Sequence, residues 1–298
     1  MLLLHDPQCA DYGSAMRPEQ PARVTGSAAH LRRAHPAWTW RVPEPTVSND
    51  VLLLAHSPAH LRRLAEPRDF DDDTPFFPGI GDHARRSVSA ALAAAGHAHA
   101  ERTPAFSLMR PPGHHATADE AMGFCYLNQI AIAALHARRV KKIPRVAVWD
   151  FDAHHGNGTE SILQANVARG DAGLFFASVH QYPGYPGTGT RDLGPQIRNW
   201  VVPPRTPREG HMAALRESFD AVLAFKPDLI LVSAGFDAYA RDPITIMTLE
   251  QDDFATLGRW LREGGRPAAA LLEGGYSEDL PLLIDAFLSA WEKDGSTA

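Results

Sequence analysis

The amino-acid sequence predicts a single α/β domain over residues 1–298, three layers deep, with a mostly parallel central sheet of about eight strands and helices on both faces. Apolar runs such as LILVSA (229–234) and AALLEG (269–274) lack the alternation of a half-exposed strand, so they are read as strands covered on both faces. Segments with apolar residues at three-to-four spacing lie between them, in regular alternation with the strands. No repeat, low-complexity tract or linker interrupts this order, which is why one domain is expected.

In chain order, Met1–Leu4 reads as a short first strand, and RPEQPARVTGSAAHLRRA passes from a Pro-fixed loop into a helix at Pro21–Ala34. Ser48 caps a short helix over Asn49–Leu54, and Pro58–Ala65 is another. The acidic loop Asp69–Asp73 precedes a long Ala-rich helix at His83–Ala100. A strand at Ala105–Met109 leads through RPPGHHA into a helix around Tyr126–Arg139. Strand Arg145–Phe151 is followed by helix Thr159–Ala168, and strand Gly173–His180 runs into the Gly/Pro-rich loop YPGYPGTG. Trp200–Val202 is a strand and Glu209–Lys226 a helix. Strand Asp228–Ser233 ends in Gly-Phe-Asp; helix Gln251–Glu263, strand Ala268–Leu272 and helix Asp279–Lys293 complete the chain.

Composition narrows the function classes. A net charge of −6 argues against nucleic acid as the main partner. No run approaches the ~18 apolar residues of a membrane span, and MLLLHDP is too short for a signal segment. The two cysteines, Cys9 and Cys125, form no disulfide or metal-finger spacing, so a reducing, cytoplasmic setting is expected. Basic residues are almost all Arg, a genomic base-composition signature of bacterial type.

The polar chemistry collects at four strand ends: GHH at 113–115, DFDAHH at 150–155, GFD at 235–237 and GGY at 274–276. In open parallel sheets ligands bind beyond the carboxyl ends of the strands. In VAVWDFDAHHGNG, an extended backbone would point Asp150, Asp152 and His154 the same way. Burying two carboxylates and an imidazole there is costly unless they hold a metal. A catalytic zinc takes three protein ligands and keeps a position open; Asp152, His154 and Asp237 are the expected set. His114 and His115, in a loop stiffened by two prolines, would work at the same edge, with Asp150 and Asn157 as the acceptors that orient them. An Asp partner favours imidazolium and an Asn carbonyl perturbs less, so the two histidines should not titrate alike. After the Gly274-Gly275 turn, Tyr276 is placed to donate to a developing oxyanion.

PPGHHA, GFCYLN, WDFDAHHGNGT, SAGFDA and LEGGY, in this order, resemble the histone deacetylase superfamily: zinc-dependent deacetylases, acetylpolyamine amidohydrolases and acetoin-utilisation proteins. The likeness runs from RPEQPAR at 17–23 to the last helix, and Asn157 makes it closer to the class II and bacterial members. It implies the arginase/deacetylase-like fold and one catalytic Zn²⁺ on Asp152, His154 and Asp237. It also implies His115 as general base and then acid, His114 with Asp150 as its electrostatic partner, and Tyr276 as the group that polarises the carbonyl. Gly123, Phe124, Tyr185, Ile244 and Gly275 would line the acyl channel, with Asp73 as the rim aspartate that grips the substrate backbone. A structural K⁺ near Asp150, Asp152, His154 and Ser178 is implied by the resemblance alone. The reaction implied is removal of acetyl or other short acyl groups from the lysine side-chain amine of peptides or proteins.

A two-metal arginase-type site needs further carboxylates, but Gly156 and Tyr239 stand at the corresponding positions. A non-catalytic acyl-lysine binder on the same scaffold is disfavoured by the retained His pair and Tyr276. An acetylpolyamine or other small N-acyl-amine amidohydrolase is the alternative. Against it, Asp242-Pro243 leads to Ile244, where a polyamine-selective relative carries Glu; the acidic Asp69–Asp73 loop pulls towards it.

Overall fold

In the computed structural model, which describes residues 1–292, the apolar runs become strands of one sheet. They are β1 (Leu2–Leu4), β2 (Thr39–Arg41), β3 (Ala105–Ser107), β4 (Val146–Asp150), β5 (Leu174–Gln181), β6 (Ile197–Val202), β7 (Leu229–Ala234) and β8 (Ala268–Leu272). The order is β2-β1-β3-β8-β7-β4-β5-β6. Every neighbouring pair is parallel, so the sheet is wholly rather than mostly parallel. β4, β7 and β8 are buried along their whole length, as the unbroken apolar runs require.

β2 is the strand that the sequence does not announce. It has three residues, two of them exposed, and lies at the sheet edge, so no face of it writes an apolar pattern. Trp40 is held instead beneath the Arg32 guanidinium, 3.9 Å from the ring centroid. The other edge strand, β6, begins three residues before the expected Trp200 for the same reason: Arg198 and Asn199 interrupt its apolar signal.

The helices are α1 (Ala22–Ala34), α2 (Asn49–Leu52), α3 (Pro58–Arg63), α4 (Ile80–Glu101), α5 (Gln129–Arg139), α6 (Asn157–Ala168), α7 (Arg208–Ala224), α8 (Gln251–Gly264) and α9 (Leu280–Trp291). The expected end of the last helix, Lys293, lies outside the described residues. α4 packs on α5 and both touch the sheet, while α8 packs on α9 and α9 on α1. Aromatic contacts join β4 and the residue after it to the helices: Trp149 meets Phe219 of α7 at 4.8 Å and Phe151 meets Phe287 of α9 at 5.6 Å. The indole of Trp149 is fully buried, and its N–H is satisfied by Ser218 Oγ at 2.9 Å. No helix among the described residues is long and apolar enough to cross a membrane.

Buried histidines give this fold a pH signature. His211 in α7 is 1% exposed, and burial alone depresses its pKa to about 4. Between about 4 and the unfolded value near 6.5, the unfolded chain binds the extra proton, so stability rises with pH in that window and is lost as pH falls through it. His56 and His180, both pushed down to about 3 chiefly by burial, act in the same direction. We expect the unfolding free energy of the wild type to fall, relative to His211→Leu, by about 3 kcal/mol between pH 7 and pH 4. Urea unfolding of both proteins across that range checks it, and a pH-independent difference would contradict the assignment.

Candidate active site

β3, β8, β7 and β4 are consecutive in the sheet, so the four strand ends that carry the polar motifs stand side by side. Extended backbone does not account for the cluster, because β4 stops at Asp150 and residues 152–154 form a bend. Hydrogen bonds shape that bend: Asp152 N–H donates to Asp150 Oδ1 at 3.1 Å and His154 N–H to Asp152 Oδ1 at 2.8 Å. Asp237, just after β7, accepts from Ala153 N–H through Oδ1 at 2.8 Å and turns Oδ2 to His154 Nδ1, also at 2.8 Å.

Donor atoms of Asp152, His154 and Asp237 lie within 4.8 Å of one another, the one such group of three among the described residues. Both carboxylates are fully buried. No Lys or Arg forms an ion pair with either among the described residues. A nitrogen and two hard oxygens converging in a buried pocket suit a divalent cation of the zinc type. Room is kept by glycine: a Cβ on Gly235 would sit 2.0 Å from Asp152 Oδ2, and one on Gly274 2.2 Å from Asp237 Oδ2.

The His pair lies beside this triad, both rings almost fully buried and 4.0 Å apart. His114 Nδ1 is 3.1 Å from Asp150 Oδ2, and its Nε2 is 3.9 Å from Asp152 Oδ1. Burial opposes a charge on His114, but Asp152 and Asp150 outweigh it and raise its pKa to about 10. His115 is driven the other way, well below its usual value, by burial and then by the charges of His114 and His154. Its Nδ1 faces Asn157 Oδ1 at 2.8 Å, at the start of α6. A carbonyl partner requires Nδ1–H, which leaves Nε2 as the acceptor.

A cavity of about 240 Å³ opens onto these groups, lined by Pro18, Asp73, His115, Gly123, Phe124, His154, Tyr185, Ile244 and Tyr276. Phe124 and Tyr276 meet at 5.8 Å between ring centroids, and Tyr185 stands edge-on to His115 at 5.1 Å. Phe124 is held at φ +69°, a costly conformation for a bulky residue. Its N–H is fixed by Thr74 Oγ1 at 3.1 Å. Gly123, at φ +56°, touches His115 so closely that a Cβ would lie 2.6 Å from its Cδ2. Burial raises the Tyr276 phenol pKa well above its usual value, so it stays a proton donor.

Two expected residues stand apart. Gly275 is not in the cavity wall; it is wedged against Leu280 and Phe236, and its carbonyl accepts from Arg23 Nε at 2.7 Å. Ser178 lies beside Asp150 in the β4–β5 register, but its hydroxyl is engaged by His180 Nδ1 at 2.9 Å. Three residues that the motifs do not single out also shape the site. Arg23 lies over the Tyr276 ring at 4.7 Å. Asp242 accepts from the N–H groups of Tyr276 and Ile244 at 2.7 and 3.1 Å. Burial, with the charge of Asp237, pushes the Asp242 pKa up to about 7. Burial likewise raises Glu273 to about 7. The usable signal for Glu273 was a charge ending the apolar run AAALL; Arg23 and Asp242 stand in loop and helix contexts where charge is ordinary.

A profile of the histone deacetylase domain matches residues 17–290. A probable deacetylase of Methanothermobacter thermautotrophicus is 39% identical over 254 residues, covering 80% of this chain and 75% of that protein. The acetylpolyamine amidohydrolase of Mycoplana ramosa is 36% identical over 213 residues, covering 68% of this chain and 61% of that protein. The crystal structure of an acetylpolyamine aminohydrolase from Burkholderia pseudomallei superposes with a TM-score of 0.87 over 98% of each chain, at 26% identity.

Proposed function

The chain belongs to the histone deacetylase family and is a hydrolase of amide bonds, and we propose that it removes acetyl or other short acyl groups from the side-chain amine of lysine in a zinc-dependent reaction. The observation that carries this reading is the convergence of Asp152, His154 and Asp237 beneath an aromatic-walled cavity into which His115 and Tyr276 also project. Zn²⁺ held by those three residues would supply a Lewis acid that polarises the amide carbonyl and makes water acidic enough to react at neutral pH.

Each remaining role follows from this chain's own groups. His115, neutral and with Nε2 free to accept, takes a proton from the attacking water and returns it to the departing amine. Asn157 fixes the tautomer that makes this possible. His114, whose Nδ1 is bonded to Asp150, carries the positive charge that balances the negative charge building up as water attacks. The Tyr276 phenol donates to the carbonyl oxygen as it becomes an oxyanion. Gly123, Phe124, Tyr185 and Ile244 hold the alkyl chain of the substrate, and Asp73 at the cavity accepts from its backbone amide. A structural K⁺ near Asp150, Asp152, His154 and Ser178 enters this proposal from the family resemblance alone.

The cavity wall is aromatic and aliphatic, with Asp73 as its one carboxylate. That suits the neutral stem of an acyl-lysine better than a chain carrying several ammonium groups. The acetylpolyamine reading is favoured by the names of the Mycoplana and Burkholderia relatives. Steady-state rates on acetyl-, propionyl- and crotonyl-lysine peptides beside N-acetylputrescine separate the two. Higher kcat/KM on the peptides is expected, and turnover of the polyamine alone would remove the lysine assignment.

A further inference from the structure

Resting on the role given to His115 above, we infer that Glu273 is a positioning residue for the His114–His115 pair: its carboxylate seats the turn from which both imidazoles project. Glu273 follows β8 and is fully buried. A single oxygen, Oε2, accepts from the backbone N–H of Gly113 at 2.7 Å and from that of His114 at 3.2 Å. Two successive backbone N–H groups converging on one carboxylate oxygen form a nest. The second oxygen, Oε1, has only long contacts, with Ser233 Oγ at 3.4 Å and Gln129 Nε2 at 3.5 Å. Among the described residues no Lys or Arg pairs with this carboxylate, so its main strong partners are those two amides.

The turn has little freedom elsewhere. A Cβ on Gly113 would fall 1.7 Å from Gln129 Oε1 and 2.6 Å from Leu127 O, so the backbone is pressed against α5 and the segment before it. The His114 carbonyl accepts from Thr159 N–H at 3.1 Å. The main chain at Glu273 is tied in turn: its carbonyl accepts from Arg23 Nη2 at 2.5 Å, and the next N–H, of Gly274, donates to Asp152 Oδ2 at 2.7 Å. One residue therefore joins the strand end that holds Asp152 to the turn that carries the base. An apolar side chain would fill this space without the cost of burying a carboxylate. What it could not do is fix the two amides, and with them the approach of His115 to the substrate. Misplacement of a reacting group by ~1 Å can cost about 10²-fold in rate.

A double-mutant cycle tests the inference, with kcat, KM, bound zinc and Tm measured on each zinc-loaded protein. Glu273→Ala is expected to lower kcat by about 100-fold and Glu273→Gln, which keeps an acceptor, by about tenfold. KM should stay within about threefold and zinc content should match the wild type. In a His115→Ala background, either change should cost less than about twofold more, because the residue acts through the base. Wild-type kcat in folded Glu273→Gln and Glu273→Ala overturns the inference, as does the full loss recurring without His115. If Glu273→Ala does not fold, Glu273→Gln alone decides. Full activity in His115→Ala would instead remove the base assignment and the inference with it, an outcome distinct from inert Glu273 variants beside an inactive His115→Ala.

Discussion

His115→Ala is expected to lower kcat by about 10³–10⁴-fold, the upper part of what a positioned general base contributes. The geometry makes the loss large because the site offers no substitute. His114 is bonded to Asp150 through Nδ1 and serves as the cationic partner in this proposal, so it does not take the proton. His154 directs Nδ1 at Asp237. Zinc content should be unchanged, since the nearest bond of the His115 ring is to Asn157 rather than to the triad. Steady-state kinetics on an acetyl-lysine peptide, with metal analysis of the same sample, checks this. Residual kcat within tenfold of the wild type would mean that another group removes the proton.

Tyr276→Phe is expected to reduce kcat by about 10²–10³-fold with little change in KM, as for loss of one preorganised oxyanion donor. Burial raises the phenol pKa, so the wild-type rate should show no loss from Tyr276 ionisation up to pH 10. The ring is placed by contacts that the substitution preserves: Phe124 on one side, Arg23 on another, and Asp242 holding its backbone N–H. Kinetics and metal analysis of the variant provide the check. Loss of zinc in Tyr276→Phe would place Tyr276 among the groups that support the metal rather than those that meet the substrate.

Most of the architecture was legible because a parallel sheet covered on both faces writes itself as continuous apolar runs. The runs at 229–234 and 268–272 became β7 and β8 almost residue for residue. Strands lacking two buried faces were not: β2 was absent from the expectation and β6 appeared only in part. Sequence could place Asp152, His154 and Asp237 at neighbouring strand ends, but it could not supply the bend after Asp150. That bend depends on side-chain-to-backbone bonds, which leave no periodic trace. Gly275 packs against Leu280 and Phe236 and accepts from Arg23, contacts that its place beside Tyr276 in the sequence does not reveal. The roles of Asp242 and Glu273 leave no local trace, because they accept from backbone amides far away in sequence, 34 residues for Tyr276 and 160 for Gly113.

Zinc titration of the chelated enzyme bears most directly on the claim that Asp152, His154 and Asp237 hold one catalytic ion. Activity should be abolished by the chelator and return in proportion to added Zn²⁺, reaching its plateau at one equivalent per chain. Asp237→Asn should bind far less metal and recover no comparable rate. Activity that survives complete removal of metal, or an Asp237→Asn protein that binds a full equivalent and turns over normally, would contradict the account.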